Sequence, residues 1–223
     1  YAWEPEKATH IGVMPRQRSV ADIRWFVGDA CYVFHPMNAH SDGNKIICDV
    51  CEYPQAPLFS LADGSPGDPK QALAKLVRWT FDLDASTDDF SREQLHDVVC
   101  EFPRLDERRS GLTYRYGYFS ADSKPASKVG GFNQIARVDH HTGSIESYDV
   151  GIGCAVSEPI FVPKTESAAE GDGYVLAYVF DANRQASSLL ILDAQNVGAG
   201  PLATAYLDHR IPFGFHGNWR QGQ

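Results

Sequence analysis

The chain carries eight histidines, at positions 10, 35, 40, 96, 140, 141, 209 and 216. Imidazole suits iron, copper, nickel and zinc alike, so the first chemistry to ask about is metal binding. No local metal motif links these residues. His35 and His40 are five apart, which on a regular strand puts them on opposite faces. His140 and His141 adjoin the Thr142-Gly143 turn and read as solvated turn residues. His96 and His209 lie in polar segments and read as surface. His10, in Thr-His-Ile-Gly-Val, suits either face of a strand.

Two histidines have apolar settings. His35 lies in Tyr32-Val-Phe-His-Pro-Met-Asn-Ala39, and His216 in Ile211-Pro-Phe-Gly-Phe-His-Gly-Asn-Trp219. A core histidine satisfied by one hydrogen bond is the commoner meaning of such a setting; a metal ligand is the other. Two glutamates match them in character: Glu101 in Val98-Val-Cys-Glu-Phe-Pro-Arg104 and Glu158 in Val156-Ser-Glu-Pro-Ile-Phe-Val162. A buried carboxylate needs a partner. An imidazole N–H is one, and a metal-bound histidine usually donates its second N–H to such an acceptor. Two His–Glu units are therefore one arrangement. Ion pairs with Arg104, Arg108, Arg109 or Lys164 are the other, and spacing does not choose between them.

The five cysteines (31, 48, 51, 100 and 154) include one CxxC, Cys48 and Cys51. A redox pair or half a zinc site is the functional reading. The segment Lys45–Tyr53 reads as a strand, however, and residues three apart on a strand face opposite sides. No second CxxC or His pair completes a zinc site. Reduced cysteines in a cytoplasmic protein are the expectation.

The elements that must position these groups are strands. Runs rich in Val, Ile, Tyr and Phe, bounded by Gly, Pro, Asn and Asp, fall at 10–14, 30–34, 45–53, 76–83, 114–119, 134–139, 144–149, 159–163, 173–181 and 188–193. Polar turn clusters predict hairpins at 139–144 and 181–188. Helix signals are thin, with a turn or two at Asp68–Lys75 and a shorter piece at Ser91–His96. The pattern is all-β: a sandwich, a barrel or a propeller.

Composition narrows the function classes. The chain has 223 residues, 43% hydrophobic and 22% charged, with a formal charge of −9, which is globular rather than disordered. The acidic balance argues against nucleic-acid binding, which wants a basic face. No apolar run approaches a transmembrane span, and the opening YAWEPEK is not a signal peptide.

Seven blocks, in one order, resemble the C-terminal half of the carotenoid cleavage oxygenase family, especially its bacterial lignostilbene dioxygenase-like branch. They are Ile11-Gly-Val-Met-Pro-Arg16, Phe34-His-Pro-Met-Asn-Ala39, Glu101-Phe-Pro-Arg-Leu-Asp106, Tyr114-Arg-Tyr-Gly-Tyr118, Ser157-Glu-Pro-Ile-Phe-Val-Pro163, Tyr178-Val-Phe-Asp181 with Leu190-Ile-Leu-Asp193, and Phe213-Gly-Phe-His-Gly-Asn-Trp219. Each is weak alone; together they span nearly the whole chain. The resemblance implies that residues 1–223 are the C-terminal portion of a seven-bladed β-propeller, one catalytic domain whose N-terminal half is missing here. It further implies a non-haem Fe(II) held by four histidines, three of them oriented by glutamates. On the matching blocks, His35 and His216 are ligands, with Glu101 expected to hold His35 and Glu158 to hold His216. The other ligands, and the groups that contact substrate, would lie upstream. After the FHxxNA block the family usually has an aromatic and then an acidic residue, whereas this chain has His40, Ser41 and Asp42.

The implied reaction is cleavage by O2 of a conjugated C=C bond in a stilbenoid, phenylpropanoid or apocarotenoid, giving two carbonyl products. The implied partners are a small apolar or phenolic substrate and O2, and no oligomeric state is legible. Phe34, Phe213, Phe215 and Trp219 would shape the surroundings or belong to the core. The competing readings are a degenerate or truncated propeller that only binds, and a relative of the retinoid isomerases. An open set of blades also implies that these residues alone are poorly stable and hold iron below full affinity.

Overall fold

Alternating Val, Ile, Phe and Tyr produce strands throughout, as the sequence predicts. The computed structural model describes residues 1–122 and 131–220. The helical pieces among them are three-residue 3-10 turns such as Glu107–Arg109. The chain divides into two compact units, Tyr1–Asp97 and Val98–Gln223.

In the first unit, β1 (Thr9–Val13) pairs antiparallel with β2 (Arg24–Gly28). A meander follows, of β3 (Tyr32–Asp42), β4 (Lys45–Tyr53) and β5 (Lys75–Asp82). The β3–β4 turn is the two residues Gly43 and Asn44, and Gly43 takes a positive φ of 57°, as tight hairpin turns demand. Phe26, Val50, Val77, Trp79 and Phe81 form this unit's core. The Asp68–Lys75 segment turns without forming a helix, and its last residue begins β5.

β3 is longer than the sequence suggests, because the strand does not stop at Pro36. Its register against β4 shifts on both sides of that proline. Proline lacks the N–H that a regular ladder needs, and a bulge is where a strand accepts it. Simple alternation does not carry across two bulges, so the opposite-face argument for His35 and His40 does not hold here.

β6 (Ser91–Leu105) runs across the boundary between the units. Ser91–His96 is strand, not the short helix expected. Ser-Arg-Glu-Gln-Leu-His has serviceable helix propensity, but propensity is a weak prior that strand pairing overrides.

In the second unit, the latter half of β6 starts a meander with β7 (Tyr116–Asp122), β8 (Gln134–Asp139) and β9 (Ser144–Asp149). A further sheet has two short strands, β10 (Cys154–Val156) and β11 (Ile160–Pro163), end to end along β12 (Gly173–Asp181). β13 (Ala186–Asp193) and β14 (Pro201–Tyr206) complete it. Tyr118, Ile135, Phe161, Val175 and Leu192 are among the core residues, with the Tyr118 and Phe161 rings stacked 5.5 Å apart. Both hairpins expected from turn chemistry are present. His141 is exposed and its backbone N–H donates to Asp139. His140 is not a solvated turn residue: it is half-buried, its ring 4.7 Å edge-on from that of buried Tyr114.

Candidate functional site

Glu158 lies in the gap between β10 and β11. Val156 pairs with Val179 and Ile160 with Leu176, so four steps on one side match three along β12 and the chain bows out at Ser157-Glu158-Pro159. Pro159 donates nothing to the ladder, which interrupts pairing there. The bow is pinned: the Ser157 N–H donates to the Tyr178 carbonyl at 2.9 Å, and the Ser157 hydroxyl accepts from the Tyr178 N–H at 3.0 Å. Ser120 Oγ donates to the Ser157 carbonyl at 2.9 Å. Glu158 is thereby held 6% exposed.

Both Glu158 oxygens are used. Oε1 lies 3.1 Å from His216 Nδ1. Oε2 accepts from Arg104 Nη1 at 2.9 Å and from the Gly217 backbone N–H at 2.9 Å. A carboxylate held by a guanidinium and an amide N–H accepts only, so the imidazole must carry its proton on Nδ1. In the neutral imidazole the lone pair is then on Nε2, the arrangement a metal-ligating histidine has when a carboxylate fixes its tautomer. The two expected alternatives for Glu158, a histidine unit and an arginine ion pair, are both realised at once. Arg104 also donates to the Gly217 carbonyl at 2.9 Å and to Glu107 at 2.6 Å.

His216 stands on the wall of an apolar cavity of about 490 Å³ within the second unit. The segment 211–219 forms one side. It follows β14 and is tied back by Ile211 N–H to Ser187 Oγ at 2.9 Å and by Arg210 over the Phe180 ring at 4.8 Å. Phe213, Phe215 and Trp219 line the cavity, as do Phe132 and Tyr178 from the strands. Phe34 instead packs within the first unit, 4.7 Å from the Tyr32 ring and 5.6 Å from the Tyr53 ring.

Phe102 is a site residue that the sequence reading passed over. The β6–β7 register shifts between Glu101 and Arg104, and Phe102, inside that bulge, has φ of +54°. A bulky side chain rarely adopts this region, at a cost of about 1–2 kcal/mol. The strained backbone sends the ring into the cavity, 6.3 Å from the His216 imidazole. The same bulge holds Glu101, 4% exposed, whose Oε2 accepts from the Phe102 N–H at 2.6 Å. The Phe-Pro pair after Glu101 was the available signal, since proline marks a break in the ladder.

His35 lies on β3 of the first unit, half-buried, its ring 6.1 Å from that of Phe34. Glu101 belongs to the second unit. The structure thus brings Glu158 and His216 together within one unit, and places His35 and Glu101 in separate ones. Among the described residues no group of three or more His, Cys, Asp or Glu is arranged to hold a metal ion. His216 with Glu158 is a histidine–carboxylate pair of the kind that can serve as a metal ligand and the acceptor that orients it.

The remaining candidates resolve simply. Cys48 and Cys51 lie on β4 with no disulfide between them, and burial pushes the Cys48 thiol up to about 12. His10 and His209 are exposed, the latter 2.7 Å from Asp208. His96 is half-buried on β6, and burial pulls its imidazole below the usual range. No helix among the described residues is long and apolar enough to cross a membrane.

A family model described as retinal pigment epithelial membrane protein matches residues 1–221. Isoeugenol monooxygenase of Pseudomonas putida is 38% identical over 228 residues, covering 99% of this chain and 48% of that protein. Lignostilbene-alpha,beta-dioxygenase isozyme III of Sphingomonas paucimobilis is 38% identical over 226 residues, covering 94% of this chain and 46% of that protein. The crystal structure of Pseudomonas brassicacearum lignostilbene dioxygenase matches with a TM-score of 0.93 at 31% identity, covering 99% of this chain and 48% of that one. The strands described above are thus those of a β-propeller fold. The chain spans about half the length of the curated relatives it matches.

Proposed function

The chain belongs to the carotenoid cleavage oxygenase family, and on that premise we propose that the whole protein is a non-haem Fe(II) dioxygenase. Its reaction is cleavage of a conjugated C=C bond in a stilbenoid or phenylpropanoid, or in an apocarotenoid, with O2, to two carbonyl products. The names of the relatives at 38% identity, an isoeugenol monooxygenase and a lignostilbene dioxygenase, favour the phenolic substrates. One observation carries the reading: a buried carboxylate lies 3.1 Å from Nδ1 of a histidine on the wall of an apolar cavity.

In this reading His216 and His35 are the iron ligands this chain supplies, and Glu158 and Glu101 are the acceptors that orient them. The other ligands come from protein beyond these 223 residues. Ferrous iron, when bound, supplies the activation of O2. The chain's own residues do the rest. Glu158 holds the Nδ1 proton of His216 and so presents Nε2 to the metal. The rings of Phe102, Phe213 and Phe215 take up a flat apolar substrate.

The test is metal analysis of the full-length protein together with product analysis on a stilbene, an isoeugenol-type phenylpropanoid and an apocarotenal. Iron content with aldehyde products, both lost in His216→Ala, is the expected result. A His216→Ala protein that keeps iron and cleavage overturns it. Isomerised substrate in place of aldehydes makes the protein a relative of the retinoid isomerases. A wild-type protein without iron makes it a binding module.

A further inference from the structure

Arg104 makes three hydrogen bonds that nothing in the proposed reaction requires. Its Nη1 donates to Glu158 Oε2 and to the Gly217 carbonyl, each at 2.9 Å, and its Nη2 donates to Glu107 at 2.6 Å. Its side chain is 15% exposed. The Gly217 N–H in turn donates to the same Glu158 oxygen that Arg104 holds. Arg104, Glu158 and Gly217 therefore close a ring of hydrogen bonds around the residue next to His216.

We propose that Arg104 is a positioning residue that sets the ring orientation of His216. The terminal torsion of a glutamate is broad and roughly two-fold, so one hydrogen bond to His216 would not fix the carboxylate plane. Arg104 and the Gly217 N–H together occupy Oε2 and leave Oε1 facing Nδ1 of His216. Gly217 is gripped at both its N–H and its carbonyl, which fixes the backbone carrying the imidazole. A planar guanidinium is the side chain that reaches two separate acceptors from one nitrogen and a third from its neighbour. Lysine carries the charge on a single point and cannot reproduce that fork.

This inference rests on the metal reading of His216, and the experiment separates the two. Full-length wild type, Arg104→Lys and Arg104→Met are compared without metal and with Co(II). In the metal-free protein, the downfield N–H proton signal of the His216 imidazole is assigned by its loss in His216→Ala. That signal is expected to be sharp in wild type, broadened in Arg104→Lys and absent in Arg104→Met. Cobalt affinity is expected to fall about 10-fold in Arg104→Lys and further in Arg104→Met, the range typical of groups that orient metal ligands. The visible absorption of the bound cobalt should change with it. The lysine variant keeps the charge, so the comparison survives if the methionine variant does not fold. A folded Arg104→Lys protein with the wild-type N–H signal and cobalt affinity within twofold of wild type overturns the inference. A wild type that shows the sharp N–H signal but takes up no metal overturns the metal reading and leaves the positioning role standing.

Discussion

Glu158 and His216 are 58 residues apart in the chain and meet at 3.1 Å. Glu158 sits where proline and an extra residue bow the chain between β10 and β11. His216 sits on the segment that folds back after β14. Neither local conformation refers to the other; the sheet built on β12 brings them together.

That contact sets the first expectation. In the full-length protein, Glu158→Ala should lower ferrous iron affinity by about 10–100-fold. Glu158→Gln should be no milder, because Arg104 and the Gly217 N–H claim its one amide oxygen and turn the NH2, a donor, toward Nδ1. Iron titration of the purified proteins checks both. Equal affinity in all three would separate Glu158 from metal binding.

The strain at Phe102 is measurable by a pair of variants. Phe102→Ala removes the ring and keeps the unfavourable positive φ; Phe102→Gly removes the ring and the strain together. The glycine variant should therefore be more stable than the alanine variant by about 1 kcal/mol, read from denaturant midpoints. If alanine equals glycine, the backbone at 102 is not strained in solution.

Asp139 gives a pH dependence with a definite sign. Its carboxylate accepts from Arg115 Nε and Nη2 at 2.9 and 2.7 Å and from the His141 N–H at 3.0 Å. The bonds from Arg115, first among several causes, hold it well below the usual carboxylate range. A depressed folded-state pKa adds stability above the unfolded value of about 4 and loses it as pH falls through the folded value. Asp139→Asn should lower the thermal midpoint at pH 7 by about 2–5 °C. The gap to wild type should narrow as pH drops below about 4. A gap that is constant from pH 7 to pH 2.5 would exclude the ionic contribution.

Cys48 should resist alkylation. With its thiol at about 12, almost no thiolate exists at pH 8, and thiolate is the reactive form. Iodoacetamide at pH 8 should label Cys48 only after denaturant is added, as mass spectrometry of the peptide Lys45–Tyr53 would report. A Cys48–Cys51 disulfide formed in the folded protein under mild oxidant would contradict the strand geometry of β4.

What the sequence determined by itself is local. Alternating Val, Ile, Phe and Tyr around Gly and Asn turns specify strands and hairpins, because period-two burial and turn chemistry are short-range. Apolar runs also marked Glu158 and His216; the cost of an unpaired ionisable group applies to buried Glu158, whereas the His216 side chain is 56% exposed. The strand through Pro36 and the strand at Ser91–His96 were illegible, since pairing with neighbours overrode the local signals of proline and of helix propensity. Which partner satisfies Glu158 was equally beyond the sequence. His216 and Arg104 were both named as candidates, and only the register of β10 and β11 on β12, with the bulge in β6, decided that one carboxylate serves both. Tertiary structure decides such matters because hydrogen bonds form over about 3 Å, whereas the separation along the chain is 58 residues for one partner and 54 for the other.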